Sequence, residues 1–211
     1  MSVLHALQTR AAPFVALRHD LHRHPELGLK EFRTSELLAQ QLQSWGYNVT
    51  RGLATTGLVA QLRRGSGSKR LGLRADMDAL PIHEVNAFEH RSVHEGVMHA
   101  CGHDGHTAML MAAAQYLAQE VEFSGTLNLI FQPAEEHPGG AKIMIEEGLF
   151  ERFPCDAVFA AHNMPGVPAG QLVFIEGPAM ASSDDVTITP TGVGGHGAMP
   201  HRAQDPIVAA A

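Results

Sequence analysis

Apolar runs of strand length recur along this chain at Leu58–Leu62, Leu71–Met77, Thr126–Phe131, Ala157–Ala161 and Gln171–Ile175. Segments with helical spacing precede or separate them: residues 3–22, Glu31–Trp45, Thr107–Ala118 and Ala141–Glu147. Short apolar strands alternating with helices predict an α/β fold, with a mainly parallel sheet flanked by helices. The clearest helix is Glu31–Trp45, where Phe32, Leu37, Leu38, Leu42 and Trp45 fall near a 3.6-residue period and Gly46 closes the run. His24-Pro25-Glu26-Leu27-Gly28 breaks the chain before it, and Gly65-Ser66-Gly67-Ser68 reads as an exposed loop tip.

The texture changes after Gly177-Pro178. Asp185–Thr189 alternates like a half-exposed strand, a glycine-rich stretch (Gly192 to Gly197) follows, and a helix opens at Asp205-Pro206. One strand and the start of a helix cannot bury a core of their own. The expectation is a first domain over residues 1–180, missing its C-terminal part, and the beginning of a second over 181–211.

Composition excludes several classes of function. With 15 Lys+Arg against 22 Asp+Glu, the net charge of −7 argues against nucleic acid or an anionic membrane as the main partner. No apolar run approaches the roughly 20 residues of a membrane span. Cys101 and Cys155 are too few and too far apart for a disulfide framework, and the N-terminus carries no continuous apolar signal core. The expected setting is a reducing cytoplasm. The abnormal count is 14 histidines, a residue that both binds metals and carries protons.

Four segments place titratable groups where strands end or a helix opens: Arg74-Ala75-Asp76-Met77-Asp78, His99-Ala100-Cys101-Gly102-His103-Asp104, Pro133-Ala134-Glu135-Glu136 and Ala161-His162-Asn163. Ligands of open α/β sheets gather at the carboxyl ends of the strands, so one sheet can bring all four together. Each segment alone has a plain structural reading. Cys101 is a small buried apolar group, with Asp104 capping the next helix. Glu135 and Glu136 are solvated loop acids, His162 a satisfied core histidine, and Asp76 and Asp78 a pair bonded to the following turn. Together, a shared metal site accounts for them better than four coincidences. One carboxylate can hold the metal while its neighbour acts as general base. Mixed thiol, imidazole and carboxylate ligands suit zinc, manganese, cobalt or nickel rather than calcium or magnesium, and do not choose among those four.

These segments, with Leu21-His22-Arg23-His24-Pro25-Glu26-Leu27, Gln132-Pro133-Ala134-Glu135-Glu136 and Gly195-His196-Gly197-Ala198-Met199-Pro200-His201, run in order along nearly the whole chain. In this set the chain resembles the amidohydrolase branch of the aminoacylase/carboxypeptidase metallopeptidase family. That branch includes hippurate hydrolases, N-acyl-amino-acid amidohydrolases and plant auxin-conjugate hydrolases. The resemblance implies a zinc-peptidase-like catalytic domain, followed by the start of an inserted α+β dimerisation domain, in a protein that is a homodimer at full length. It implies two divalent ions per site, with Cys101 shared between them and His103, Glu136 and His162 as further ligands. Glu135 is then the general base for a metal-activated water and the later proton donor to the leaving amine, and Asp78 orients a ligand. His196 steadies the oxyanion in a partner's site. The implied reaction converts a small N-acyl amino acid, hippurate-like or N-acetylated, to a carboxylate and a free amino acid.

The chain departs from the family pattern in lacking the last metal-ligand histidine, which relatives take from the returning C-terminal part. His137 stands where relatives usually carry glycine and reads as a loop variant. Cys155 reads as structural, and His106, three residues from His103 on one helix, as packed or hydrogen-bonded. Two rival readings follow: a truncated fragment that binds metal or a partner without turnover, and a metal-storage or sensing module. A store has no need of Glu135, and these histidines are dispersed rather than in a tract.

Overall fold

A computed structural model describes residues 3–182, 184 and 186–211. Backbone packing divides the chain into two compact units, residues 1–165 and 166–211.

The first unit opens with helices α1 (Val3–Gln8) and α2 (Ala11–Arg23), then α3 (Phe32–Ser44). Strands β1 (Asn48–Leu53) and β2 (Gly57–Arg64) form a hairpin, and β3 (Arg70–Asp76) follows. A long loop leads to α4 (His103–Gln119) and β4 (Gly125–Gln132); α5 (Gly140–Glu146), α6 (Leu149–Arg152) and β5 (Ala157–Ala160) complete the unit. The sheet order is β1-β2-β4-β3-β5. β3 pairs in parallel with both β4 and β5, as the helical crossovers require, whereas β2 runs antiparallel to β1 and to β4. The sheet is therefore mixed, its parallel half carrying the ends where the titratable segments lie. The antiparallel half consists of β2 against β4 and of β1, a strand the sequence pattern did not announce, joined to β2 by a tight turn in which Ala54 and Thr55 adopt positive φ.

Side chains alternate across the sheet and fill a core on each face. Leu58, Ala60, Leu129 and Phe131 pack with Leu17 and Leu21 of α2, Leu38 and Leu42 of α3, and Met111 of α4. The residues between them, Val59 and Ile130, face Met144, Leu149 and Phe153 on the α5–α6 side. This two-residue period, buried on both faces, explains why β2 and β4 read as continuous apolar runs.

Among its described residues the second unit holds a 3₁₀ turn (Pro200–Arg202), helix α7 (Pro206–Ala210) and a bridge between Val193 and Gln204. Asp205 caps α7 by accepting from the Ile207 amide at 2.9 Å, as the Asp-Pro signal predicts. The strand expected at Gln171–Ile175 does not form. Leu172 and Phe174 are largely exposed, and no ladder partner exists for the run among the described residues. Val186–Thr189 is likewise without strand pairing, and Asp185 lies outside the described residues. Among the described residues, no helix is long and apolar enough to cross a membrane.

Candidate metal centre

Three chain segments converge at the carboxyl ends of the parallel strands. Asp76 ends β3 and Asp78 follows it, Glu135 and Glu136 follow β4, and His162 and Asn163 follow β5. The fourth contribution comes from the start of α4. There Gly102, at φ +96°, turns the chain so that His103 becomes the first helical residue. A side chain on Gly102 would collide with Asn163, so the glycine also admits the β5 segment.

His103 stands at the centre and is fully buried. Its Nδ1 lies 2.9 Å from the Asp78 carbonyl oxygen and 3.2 Å from Asp78 Oδ1. Both are acceptors, so Nδ1 carries the proton. Nε2 is buried without a hydrogen-bond partner. Around it lie Asp76 Oδ2 at 3.7 Å and Glu135 Oε2 and Glu136 Oε1 at 3.9 Å each. Cys101 Sγ sits 3.4 Å from His162 Nε2. Three ligand sets, each with its atoms within 4.8 Å of one another, share His103: Cys101 with His162, Asp76 with His106, and Glu135 with Glu136.

The electrostatics follow from packing acids around a few cations. Burial pulls the His103 pKa down, but the bond to Asp78 and the charges of Asp76, Asp78 and Glu136 more than offset this and raise it. Burial pushes the Cys101 thiol up, and Glu136, Glu135 and Asp76 push it further, to about 12. Burial also opposes ionisation of Asp76, yet His106, His103 and Arg74 hold it down at about 2. Surplus negative charge beside an orphaned imidazole nitrogen and a thiol is the environment a divalent cation neutralises, so the donor set fits the implied metals.

Supporting contacts surround these groups. Asp78 Oδ2 accepts from the Glu136 amide at 3.0 Å. His106 Nδ1 bonds Asp76 Oδ1 at 2.6 Å and its Nε2 meets Asn163, so His106 is hydrogen-bonded as expected while also lying within ligand range. Cys155 contacts the Asn128 amide and the Phe153 carbonyl, consistent with a structural role. Asp104 does not cap α4. Because the helix begins at His103, Asp104 lies within the first turn, accepting from Arg18 at 3.1 Å and meeting His22 Nδ1 at 2.9 Å. His22 Nε2 in turn meets Glu84 at 3.1 Å. The sequence does not announce this relay, since its partners lie 62 to 86 residues apart, and it gives Asp76 no role of its own within the shared site.

Cys101, His103, Glu135, Glu136, His162 and Asp78 are thus brought together on the first unit. His196 belongs to the second, where it is exposed and its Nδ1 accepts from the Ala198 amide at 3.1 Å.

Residues 72–211 match the family described as peptidase family M20/M25/M40. The chain is 52% identical over 197 residues to the hippurate hydrolase of Campylobacter jejuni, covering 93% of this chain and 51% of that protein. It is 42% identical over 195 residues to the N-acyl-L-amino acid amidohydrolase of Geobacillus stearothermophilus, covering 92% and 52%. Among solved structures it is similar to the Bacillus subtilis YXEP protein, described as a dinuclear metal binding peptidase from the M20 family. The TM-score is 0.71 at 37% identity, over 78% of this chain and 46% of that one. The chain spans about half the length of the curated relatives it matches.

Proposed function

This chain belongs to peptidase family M20/M25/M40, and from that premise we propose that it is the metal-binding part of an amidohydrolase acting on small N-acyl amino acids. The observation that carries the reading is the buried, partnerless Nε2 of His103, faced by three carboxylates. The names of the relatives, a hippurate hydrolase and an N-acyl-amino-acid amidohydrolase, support the substrate class. The dinuclear description of a structural neighbour supports two ions per site.

In this reading Cys101, His103, Glu136 and His162 hold divalent metal: manganese, zinc, cobalt or nickel. Bound there, the ions supply Lewis acidity to the amide carbonyl and acidify the attacking water. Glu135, with its side chain 43% exposed, is open to substrate and takes the proton from that water. The water oxygen bonds the carbonyl carbon, the C–N bond breaks, and Glu135 returns the proton to the leaving amine. Asp78 keeps the proton on His103 Nδ1, so that Nε2 stays a donor of its lone pair. Residues 1–180 form the catalytic domain and 181–211 begin a dimerisation domain. His196 is assigned, on the family resemblance of its motif, to steady the oxyanion of a partner subunit in a homodimer. The reading places the enzyme in the cytoplasm.

The test is release of free amino acid from hippurate and from N-acetyl-amino acids, with each of the four metals added in turn. It is run on this chain and on any longer product of the same reading frame. Metal-dependent release, abolished by a chelator, is the expected result. A folded, metal-loaded protein that leaves the whole panel intact overturns the reading.

A further inference from the structure

Glu31 is fully buried and lies at the start of α3, more than a hundred residues in sequence from Glu135 and Glu136. Its Oε1 accepts from the Ala134 amide at 2.9 Å and its Oε2 from the Thr56 hydroxyl at 2.5 Å. Ala134 holds φ +49°, a left-handed conformation that an alanine adopts only under constraint. The same residue is gripped through its other backbone group. The Ala134 carbonyl accepts from the amides of Gly140 at 2.7 Å and Gly139 at 3.1 Å. Backbone also crowds close here: a side chain on Gly28 would meet His137 O at 2.6 Å, and one on Gly140 would meet Pro133 O at 1.9 Å. The residue so constrained immediately precedes Glu135 and Glu136, whose carboxylates reach within 3.9 Å of His103 Nε2.

We propose that Glu31 is a positioning residue, whose buried carboxylate fixes the Ala134 peptide in its left-handed turn and so aims Glu135 and Glu136 at the His103 nitrogen. The inference rests on the reading of those two acids as functional. Burial holds the Glu31 carboxyl above the usual range, and the bonds from Thr56 and Ala134 partly counter it. A buried acceptor with two donors is an expensive device for mere packing, since a methionine fills the same space without desolvating a carboxylate. What the acid provides and an apolar side chain cannot is a partner for the Ala134 N–H in a conformation that no helix or sheet ladder satisfies.

The test compares Glu31→Met, which keeps the volume and removes the acceptor, with Glu31→Gln. The glutamine amide oxygen can still accept from Ala134, while its NH₂ donates to a reoriented Thr56 hydroxyl. Glu31→Asp, a carboxylate too short to reach both partners, serves if the methionine variant does not fold. Amide hydrogen exchange at Ala134 is followed in metal-free protein, and cobalt(II) affinity through the visible d–d bands. Expected are faster exchange at Ala134 and a ten- to hundredfold loss of cobalt affinity in Glu31→Met or Glu31→Asp, with Glu31→Gln within about threefold of the parent. A folded Glu31→Met or Glu31→Asp variant whose Ala134 exchange is unchanged, or whose cobalt affinity stays within about twofold of the parent, overturns the proposal. So does Glu31→Gln falling as far as Glu31→Met. If the parent itself binds no cobalt, the metal reading fails instead, and the exchange arm still decides whether Glu31 holds the turn.

Discussion

The Asp78 carboxylate bonds two things at once: Oδ1 lies 3.2 Å from His103 Nδ1, and Oδ2 accepts from the Glu136 amide at 3.0 Å. One acid thereby fixes the ring of one candidate ligand and the backbone of another. The two contacts come from different segments, so Asp78 ties the start of α4 to the turn after β4.

That double role makes Asp78→Ala costly in a particular way. His103 loses a partner for Nδ1, though the Asp78 carbonyl remains at 2.9 Å, and the Glu136 amide loses its acceptor. Metal affinity is expected to fall ten- to a hundredfold, measured by competition with a chelator of known affinity. Unchanged affinity with an intact fold would mean that the backbone carbonyl alone orients the ring.

Glu135 and Glu136 are neighbours at equal distance from His103 Nε2, yet the proposed chemistry gives them different jobs. Glu135→Gln is expected to lower kcat by about 10²- to 10⁴-fold with the metal content unchanged. Glu136→Gln is expected to lose metal first and activity with it. Metal analysis beside turnover separates them, and a storage protein would show no special sensitivity at Glu135. Loss of metal from both variants alike would sink the division of roles.

Much of this centre was legible because its chemistry is carried by short motifs at strand ends, where topology brings ligands together whatever the intervening sequence. That the segments holding Cys101, His103, Glu135, Glu136, His162 and Asp78 meet needed only the approximate position of each strand; their separate roles came from the family resemblance. β1 was missed because Asn48–Leu53 is an edge strand with a single buried residue, Leu53, so no apolar run marks it. Gln171–Ile175 misled for the opposite reason: it has the composition of a strand but no partner to pair with among the described residues. Glu31 and His22 were silent because their partners lie 103 and 82 residues away, and a buried acid on a helix looks like a surface acid until the packing is known.

Gly140 offers a test of how tightly the Glu135 turn is built. A Cβ there would stand 1.9 Å from the Pro133 carbonyl oxygen, a backbone atom that cannot swing aside. Gly140→Ala is expected to lower both the thermal midpoint and the metal affinity, because relieving the clash moves the residues that carry the acids. Gly46→Ala is the control. It has positive φ but open space around it, so it should cost about 1 kcal/mol of stability and leave metal binding alone. Equal effects of the two on metal affinity would detach the turn from the centre.

His22 gives a pH dependence that can be read in metal-free protein. Its pKa is raised above 6.5 chiefly by the bond to Asp104; burial opposes the rise, and Glu84 assists it. A histidine that binds its proton more tightly when folded contributes stability that is fully present below the unfolded pKa, near 6.5. That contribution is lost as pH rises through the folded value. In His22→Gln the amide can occupy the site but cannot take up the charge. Urea midpoints measured with chelator present from about pH 5.5 upward should therefore show the parent more stable than the variant at the acid end. The gap should narrow as pH rises above 6.5. A gap constant over that range would mean that His22 is held by geometry alone, with its charge the same in the folded and unfolded chain.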